Sequence, residues 1–190
     1  MRVAVFGGSF DPPHLAHQQA VRHLLRSPEV DRVLVVPVYE HAFDKALAPF
    51  EHRVRMCELS MLEDDRVTVS RIEASLGRPS YTLHTLRALH QQHPSWSLRL
   101  VVGADVLHDA TKWHKFEEVC RLAPLMPLGR KGVEGTLAPE PVLPEVSSTE
   151  VRELLRGRES SRVPSALRSR LLELLAPEVL AYIEEHDLYR

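Results

Sequence analysis

Arg2-Val3-Ala4-Val5-Phe6-Gly7-Gly8-Ser9-Phe10-Asp11-Pro12-Pro13-His14-Leu15-Ala16-His17 sets the architecture of this 190-residue chain. Arg2–Phe6 is a short β-branched run ending at Gly7-Gly8, the pattern of a buried strand followed by a tight turn. Apolar residues at helical spacing follow from Leu15 to Leu25. The same alternation continues outward. Arg32–Val36 (RVLVV) reads as a second buried strand, stopped by Pro37. Pro49 opens a helix through Met61, since proline is tolerated in a first turn. Val67–Ile72 reads as a third strand, and Ser80 as the N-cap of a helix through Gln92. Leu98–Val102 reads as a further strand closed by Gly103, Phe116–Leu122 as a helix, and Leu125–Leu128 as a weaker strand around Pro127. The Gly- and Pro-rich segment Gly129–Glu145 reads as an irregular loop. From Ser147 onward the pattern is helical, over Ser148–Arg156, Pro164–Leu175 and Pro177–His186.

The strands are uniformly apolar instead of alternating, and helices separate them. That predicts an α/β fold with a doubly wound parallel sheet covered on both faces. The length suits one domain, residues 1–190, with a helical C-terminal end from about residue 147.

Hydrophobic residues make up 44% and charged residues 26%, a globular balance, and the formal net charge of −2 gives no polyanion-binding surface. The basic cluster Arg168–Arg170 reads as a solvated helix face. No nucleic-acid partner is expected. Cys57 and Cys120 are too few for a disulfide framework or a four-cysteine zinc site and read as small buried hydrophobes. Reduced thiols, a strand where a signal peptide would need a long apolar stretch, and no apolar run near the roughly 20 residues of a membrane span predict a cytoplasmic protein without a membrane partner.

Two segments carry chemistry. The turn Gly7–His17 lies beyond the end of the first strand, where open α/β sheets bind ligands. Its glycines let backbone N–H groups approach a phosphate, and the following helix start adds partial positive charge. His14 and His17 share one face of a helical turn, and two imidazoles there can donate to phosphoryl oxygens. The alternatives for this pair are a metal site, for which only Asp11 stands nearby, and a structural role. The spacing is neither GxGxxG nor a Walker loop. The second segment is Val146-Ser147-Ser148-Thr149-Glu150-Val151-Arg152. Ser147 with Glu150 fits a capping box. The two hydroxyls, the N–H groups and Arg152 at one helix start form an anion grip.

His14-Leu15-Ala16-His17 resembles the HxGH signature of the nucleotidylyltransferase superfamily, and Ser147–Arg152 is similar to its SSTxxR-type signature. Gly103-Ala104-Asp105, Trp113, the block Pro79–Leu86 and the ending Tyr182–Tyr189 resemble bacterial nicotinate-nucleotide adenylyltransferases, so that the likeness covers nearly the whole chain. It implies a Rossmann-like nucleotidyltransferase fold and transfer of AMP from ATP to nicotinate mononucleotide, with release of pyrophosphate. It further implies that Gly7, Gly8, Ser9 and Phe10 line the ATP site, with His14 and His17 at the triphosphate. Ser148, Thr149 and Arg152 would hold the β- and γ-phosphates, and Gly103 and Asp105 the ribose region. Tyr81, Thr85 and Trp113 would form the acceptor pocket. The chain departs from the family at three places. Ala16 replaces the usual Gly, His84 replaces an Asp common in the SYTxDT block, and the loop 39–48 lacks the usual PPHK-like pattern, leaving Lys45 as its acceptor-binding candidate. No dense carboxylate cluster is present, so Mg²⁺ is expected to be held mainly through ATP phosphates and water. The rivals are another phosphorylated acceptor, such as phosphopantetheine or nicotinamide mononucleotide, and a nucleotide-binding regulatory module that has lost catalysis.

Overall fold

β1 (Arg2–Gly8) lies at the centre of the sheet, with β2 (Arg32–Pro37) on one side and β4 (Ser97–Gly103) on the other, both parallel to it. β3 (Val67–Val69), β5 (Leu125–Arg130) and β6 (Pro141–Leu143) complete six parallel strands in the order β3-β2-β1-β4-β5-β6. The computed structural model describes residues 1–40, 46–61, 64–77, 79–103, 113–130, 141–156, 158, 160 and 162–190.

Each inner strand is buried on both faces, which explains its unbroken apolar sequence. Val3, Val5, Leu34, Leu100 and Val102 face α3 (Thr82–Gln92) and α4 (Phe116–Leu122), meeting Leu83, Leu86, Leu89 and Val119. Ala4, Val33, Val35 and Val101 face α1 (Leu15–Arg26) and α2 (Phe50–Met61), meeting Ala20, Val21, Leu24, Cys57 and Met61. Leu24, Leu86 and Leu89 are essentially inaccessible, and burial of each such side chain contributes roughly 1.5–3 kcal/mol. A third core forms where α5 (Ser148–Leu155), α6 (Ser165–Leu172) and α7 (Pro177–Glu185) pack on Ala16 of α1 and Met56 of α2. Among the described residues no helix is long and apolar enough to cross a membrane.

The parallel doubly wound sheet agrees with the sequence reading, and several local expectations are corrected. The Val67–Ile72 strand keeps only three residues. Ser70 Oγ accepts from the Ile72 N–H at 3.2 Å, diverting the backbone into a 3-10 turn over Ile72–Ser75. Ser80 does not cap α3. Tyr81 occupies the N-cap position, while Ser80 Oγ accepts from the Glu40 N–H at 3.2 Å and the Ser80 N–H donates to the Glu40 carbonyl at 3.1 Å. The segment Gly129–Glu145 is not wholly irregular, because β5 runs to Arg130 and β6 adds an edge strand. Pro141 starts that strand, a position where a missing N–H is tolerated. Cys57 is buried, which pushes its thiol up, but Cys120 is half-buried. Arg168 and Arg170 stay on a solvated helix face, as the sequence reading has it. They pair with Glu184 at 2.5 Å and with Glu173 and Glu150 at 2.7 and 3.0 Å.

Candidate active site

The strand order reverses between β1 and β4, so their carboxyl ends diverge and open a crevice. Gly8 ends β1 and Gly103 ends β4, which puts the loop 9–14 at its mouth. A Cβ on Gly8 would sit 3.1 Å from the Phe10 ring, a tight approach that the ring would have to yield to by a few tenths of an ångström. Gly7 has no such close neighbour, the nearest being the Val36 carbonyl at 4.0 Å. Phe10 adopts a left-handed backbone (φ 47°) that turns its ring into the core, edge-on to Phe6 and His17 at centroid distances of 5.4 and 4.9 Å. Only the Phe10 backbone can therefore serve a ligand.

His14 is the N-cap of α1. Its N–H donates to His17 Nδ1 at 3.1 Å, and the two rings stack at 3.8 Å. Because Nδ1 accepts, the neutral His17 ring carries its proton on Nε2, an assignment that rests on this bond. The start of α1 offers fewer backbone donors than the sequence suggests. The Leu15 N–H donates to the Leu174 carbonyl at 2.8 Å and the His17 N–H to the His14 carbonyl at 2.8 Å.

The second segment docks onto the first. Ser147 Oγ caps α5 by accepting from the Glu150 N–H at 3.1 Å, while the Glu150 carboxylate turns to Arg170. Ser148 Oγ donates to the Pro12 carbonyl at 2.9 Å. Arg152 Nη1 donates to the Asp11 carbonyl at 2.6 Å and lies 3.8 Å from Asp11 Oδ2, and its Nη2 donates to Thr149 Oγ1 at 3.1 Å. Thr149 itself is exposed.

Beneath this grip are residues the sequence reading did not assign. Asp11, 1% exposed, accepts at Oδ1 from the Ala48 N–H at 3.1 Å and the Tyr189 hydroxyl at 2.8 Å. Arg53, also 1% exposed, donates to the carbonyls of Ala48, Ser9 and Tyr39 at 2.8, 2.9 and 3.3 Å. Burial lowers its pKa and the Asp11 carboxylate opposes that shift. A signal for Arg53 existed: it shares the helical face of Phe50, Val54, Cys57 and Met61, an odd place for a charge unless it is paired.

On the other side of the crevice, Tyr81 starts α3 and packs on His114 at 4.9 Å and His84 at 5.6 Å. Trp113 is half-buried against the α3-side core and lies edge-on to Phe116. Thr85 is buried, and its hydroxyl donates to Glu73 Oε1 at 2.8 Å. Glu73 Oε2 accepts in turn from the Tyr39 N–H at 2.9 Å. Thr85 thus ties α3 to the end of β2 rather than offering its hydroxyl to a ligand. Glu73 had no sequence signal, because it lies just past the expected strand Val67–Ile72, where nothing foretells the 3-10 turn that carries it. Lys45 and Asp105 lie outside the described residues.

The cytidylyltransferase-like family pattern matches residues 5–154. A relative from Myxococcus xanthus, named probable nicotinate-nucleotide adenylyltransferase, is 36% identical over 190 residues, covering 100% of this chain and 95% of its own. The chain belongs to the nicotinate-nucleotide adenylyltransferase family. A family member of the same name from Thermus thermophilus is 37% identical over 198 residues, with full coverage of both chains. The solved structure of Plasmodium falciparum nicotinic acid mononucleotide adenylyltransferase complexed with NaAD superposes with a TM-score of 0.73 over 99% of this chain and 97% of its own; at 17% identity the likeness is one of fold.

Proposed function

We propose that this chain transfers AMP from ATP to nicotinate mononucleotide, giving nicotinate adenine dinucleotide and pyrophosphate. The observation that carries this reading is the junction of the two signature segments at the crevice, where Arg152 Nη1 meets the Asp11 carbonyl at 2.6 Å. Full-length relatives named for this activity support it.

The acceptor phosphate, largely ionised at neutral pH with its second pKa near about 6, attacks the α-phosphorus of ATP. One acceptor oxygen–phosphorus bond forms, and the bond from the α-phosphorus to its bridging oxygen breaks as pyrophosphate leaves. No covalent enzyme intermediate and no strong general base are required. The work is positioning two anions and stabilising oxygen charge. His17, through Nε2–H, and His14 act at the reacting phosphate. Arg152 and the exposed Thr149 hydroxyl hold the distal phosphates beside the start of α5. Ser148 acts indirectly, by docking α5 onto Pro12. Gly7, Gly8, Ser9 and the Phe10 backbone form the wall against which ATP lies, with Gly103 and Asp105 toward its ribose. Tyr81, Trp113 and Lys45 belong to the acceptor side, where Thr85 shapes the start of α3.

Among the described residues no group of three His, Cys, Asp or Glu could hold a metal ion, and Asp11 is committed to Tyr189 and Ala48. That donor set fits Mg²⁺ brought in on ATP phosphates, where it supplies charge neutralisation. The chain works as one unit in the cytoplasm. The packing of α5–α7 on α1 and α2 supports the first point, and the buried thiol of Cys57 is consistent with the second. The test is pyrophosphate release with Mg-ATP and, in turn, nicotinate mononucleotide, nicotinamide mononucleotide and phosphopantetheine. Release driven best by the first is expected. Release driven best by another acceptor would reassign the substrate, and none with any would remove the activity.

A further inference from the structure

Beyond α7 the chain turns back on itself through Asp187 and Tyr189, both with left-handed backbones (φ 49° and 62°). Three contacts fasten this turn: the Leu188 carbonyl accepts from the buried Arg158 Nη2 at 2.8 Å, the Leu188 N–H donates to the Ile183 carbonyl at 3.1 Å, and Arg190 Nε donates to the Arg158 carbonyl at 3.2 Å. The result is that the Tyr189 ring packs against the core under α5–α7 and its hydroxyl reaches Asp11 Oδ1 at 2.8 Å. Non-glycine residues seldom adopt two left-handed conformations so close together, and here both serve to aim one side chain at the loop of the first signature.

Asp11 links that contact to the anion grip. Its Oδ1 is shared by Tyr189 and the Ala48 N–H, its Oδ2 lies 3.8 Å from Arg152 Nη1, and its backbone carbonyl takes the 2.6 Å bond from the same nitrogen. With Asp11 buried, these donors hold its carboxylate, and the charge of the buried Arg53 guanidinium acts on it as well. We propose that Tyr189 is a positioning residue for the ATP site: by donating to Asp11 it fixes the carboxylate and, through it, the guanidinium of Arg152 at the crevice. Burial and the neighbouring carboxylate push the phenol above its ordinary pKa, so it remains a donor across the neutral range. The proposal rests on the reading of Arg152 as a triphosphate ligand.

Tyr189→Phe deletes one hydroxyl and keeps the ring packing. Mg-ATP affinity is measured by calorimetry on the full chain without acceptor, alongside the KM for nicotinate mononucleotide and the thermal midpoint. The expected result is an ATP affinity about tenfold weaker, the scale of one hydrogen bond to a charged group, with the acceptor KM within about twofold. A lowered midpoint with unchanged ATP affinity means a purely structural tyrosine and overturns the proposal. If the variant does not fold, 3-fluorotyrosine placed at position 189 supplies the readout. Its fluorine resonance moves on adding Mg-ATP if Tyr189 is tied to the grip, and a stationary resonance overturns the tie. A parent chain that binds no ATP removes both the adenylyl-transfer reading and this one, whereas a binding parent with an equally binding variant removes only this one.

Discussion

Replacing Arg152 by lysine keeps the charge and destroys the fork. In the structure Nη1 serves the Asp11 carbonyl and Nη2 serves Thr149 Oγ1, two directions a single ammonium on a flexible stem cannot span together. One charge-assisted hydrogen bond is lost, nominally about 1.5–3 kcal/mol. The side chain is 20% exposed, so water recovers part of this and the lower end applies, about 1.5 kcal/mol or roughly tenfold. Arg152→Lys should therefore raise the KM for ATP about tenfold and leave the acceptor KM within about twofold. The stability cost should be similar in size, or roughly 3–6 °C of thermal midpoint for a chain this long. The assay is initial rate against ATP at saturating acceptor, with pyrophosphate as the signal, beside a thermal melt. A lowered midpoint with an unchanged ATP KM would confine Arg152 to docking α5 on the loop and refute the triphosphate role.

His17→Ala should lower kcat by about 10²–10³ and change ATP binding far less, because its donor strengthens in the transition state; near-parental turnover in the folded variant would end that role. Nicotinate mononucleotide should be preferred to its amide by about 10–100-fold in kcat/KM. With the Thr85 hydroxyl committed to Glu73, the discrimination falls to the backbone N–H groups at the start of α3, which favour a carboxylate; equal kcat/KM values for both acceptors would defeat this. At the far end of the sheet, hydrogen bonds from the Arg2 guanidinium and N–H hold the Asp31 carboxyl down to about 2. A folded-state value below the unfolded one, about 3.9, gives stability present above roughly pH 4 and lost as pH falls toward 2. Thermal midpoints of the parent and Asp31→Asn should thus differ at pH 6 and converge near pH 2; a constant gap would contradict it.

Much of this was legible in the sequence because period and punctuation are local. Arg32–Val36 and Leu98–Val102 are apolar throughout since both faces are covered, and the helix Phe116–Leu122 has the bounds its spacing implied. The first signature was visible because His14 and His17 share one helical face beside a glycine turn at a strand end; the turn alone is a common feature. What stayed hidden depends on contacts between distant residues. Nothing around Ser80 shows that Glu40 will take its hydroxyl, which leaves the α3 cap to Tyr81. Nor does the Ser80–Leu86 block show that the Thr85 hydroxyl is spent on Glu73. In sequence, the roles of Arg53 and Tyr189 cannot be told apart from those of the helix and the chain ending that carry them, since their partners are carbonyls and a carboxylate far along the chain.

The sheet order also governs when the molecule can begin to work during synthesis. β1 leaves the ribosome first, but one of its two neighbours is β4, whose pairing with Arg2 begins only at Ser97. The nascent sheet must therefore hold an exposed apolar edge until the chain has grown past its midpoint, because pairing between strands so far apart in sequence is intrinsically slow. Even then the loop 9–14 waits for Ser148, Arg152 and Tyr189 to fasten it. A chain stalled or cleaved before those residues would carry the first signature without the contacts that fasten it.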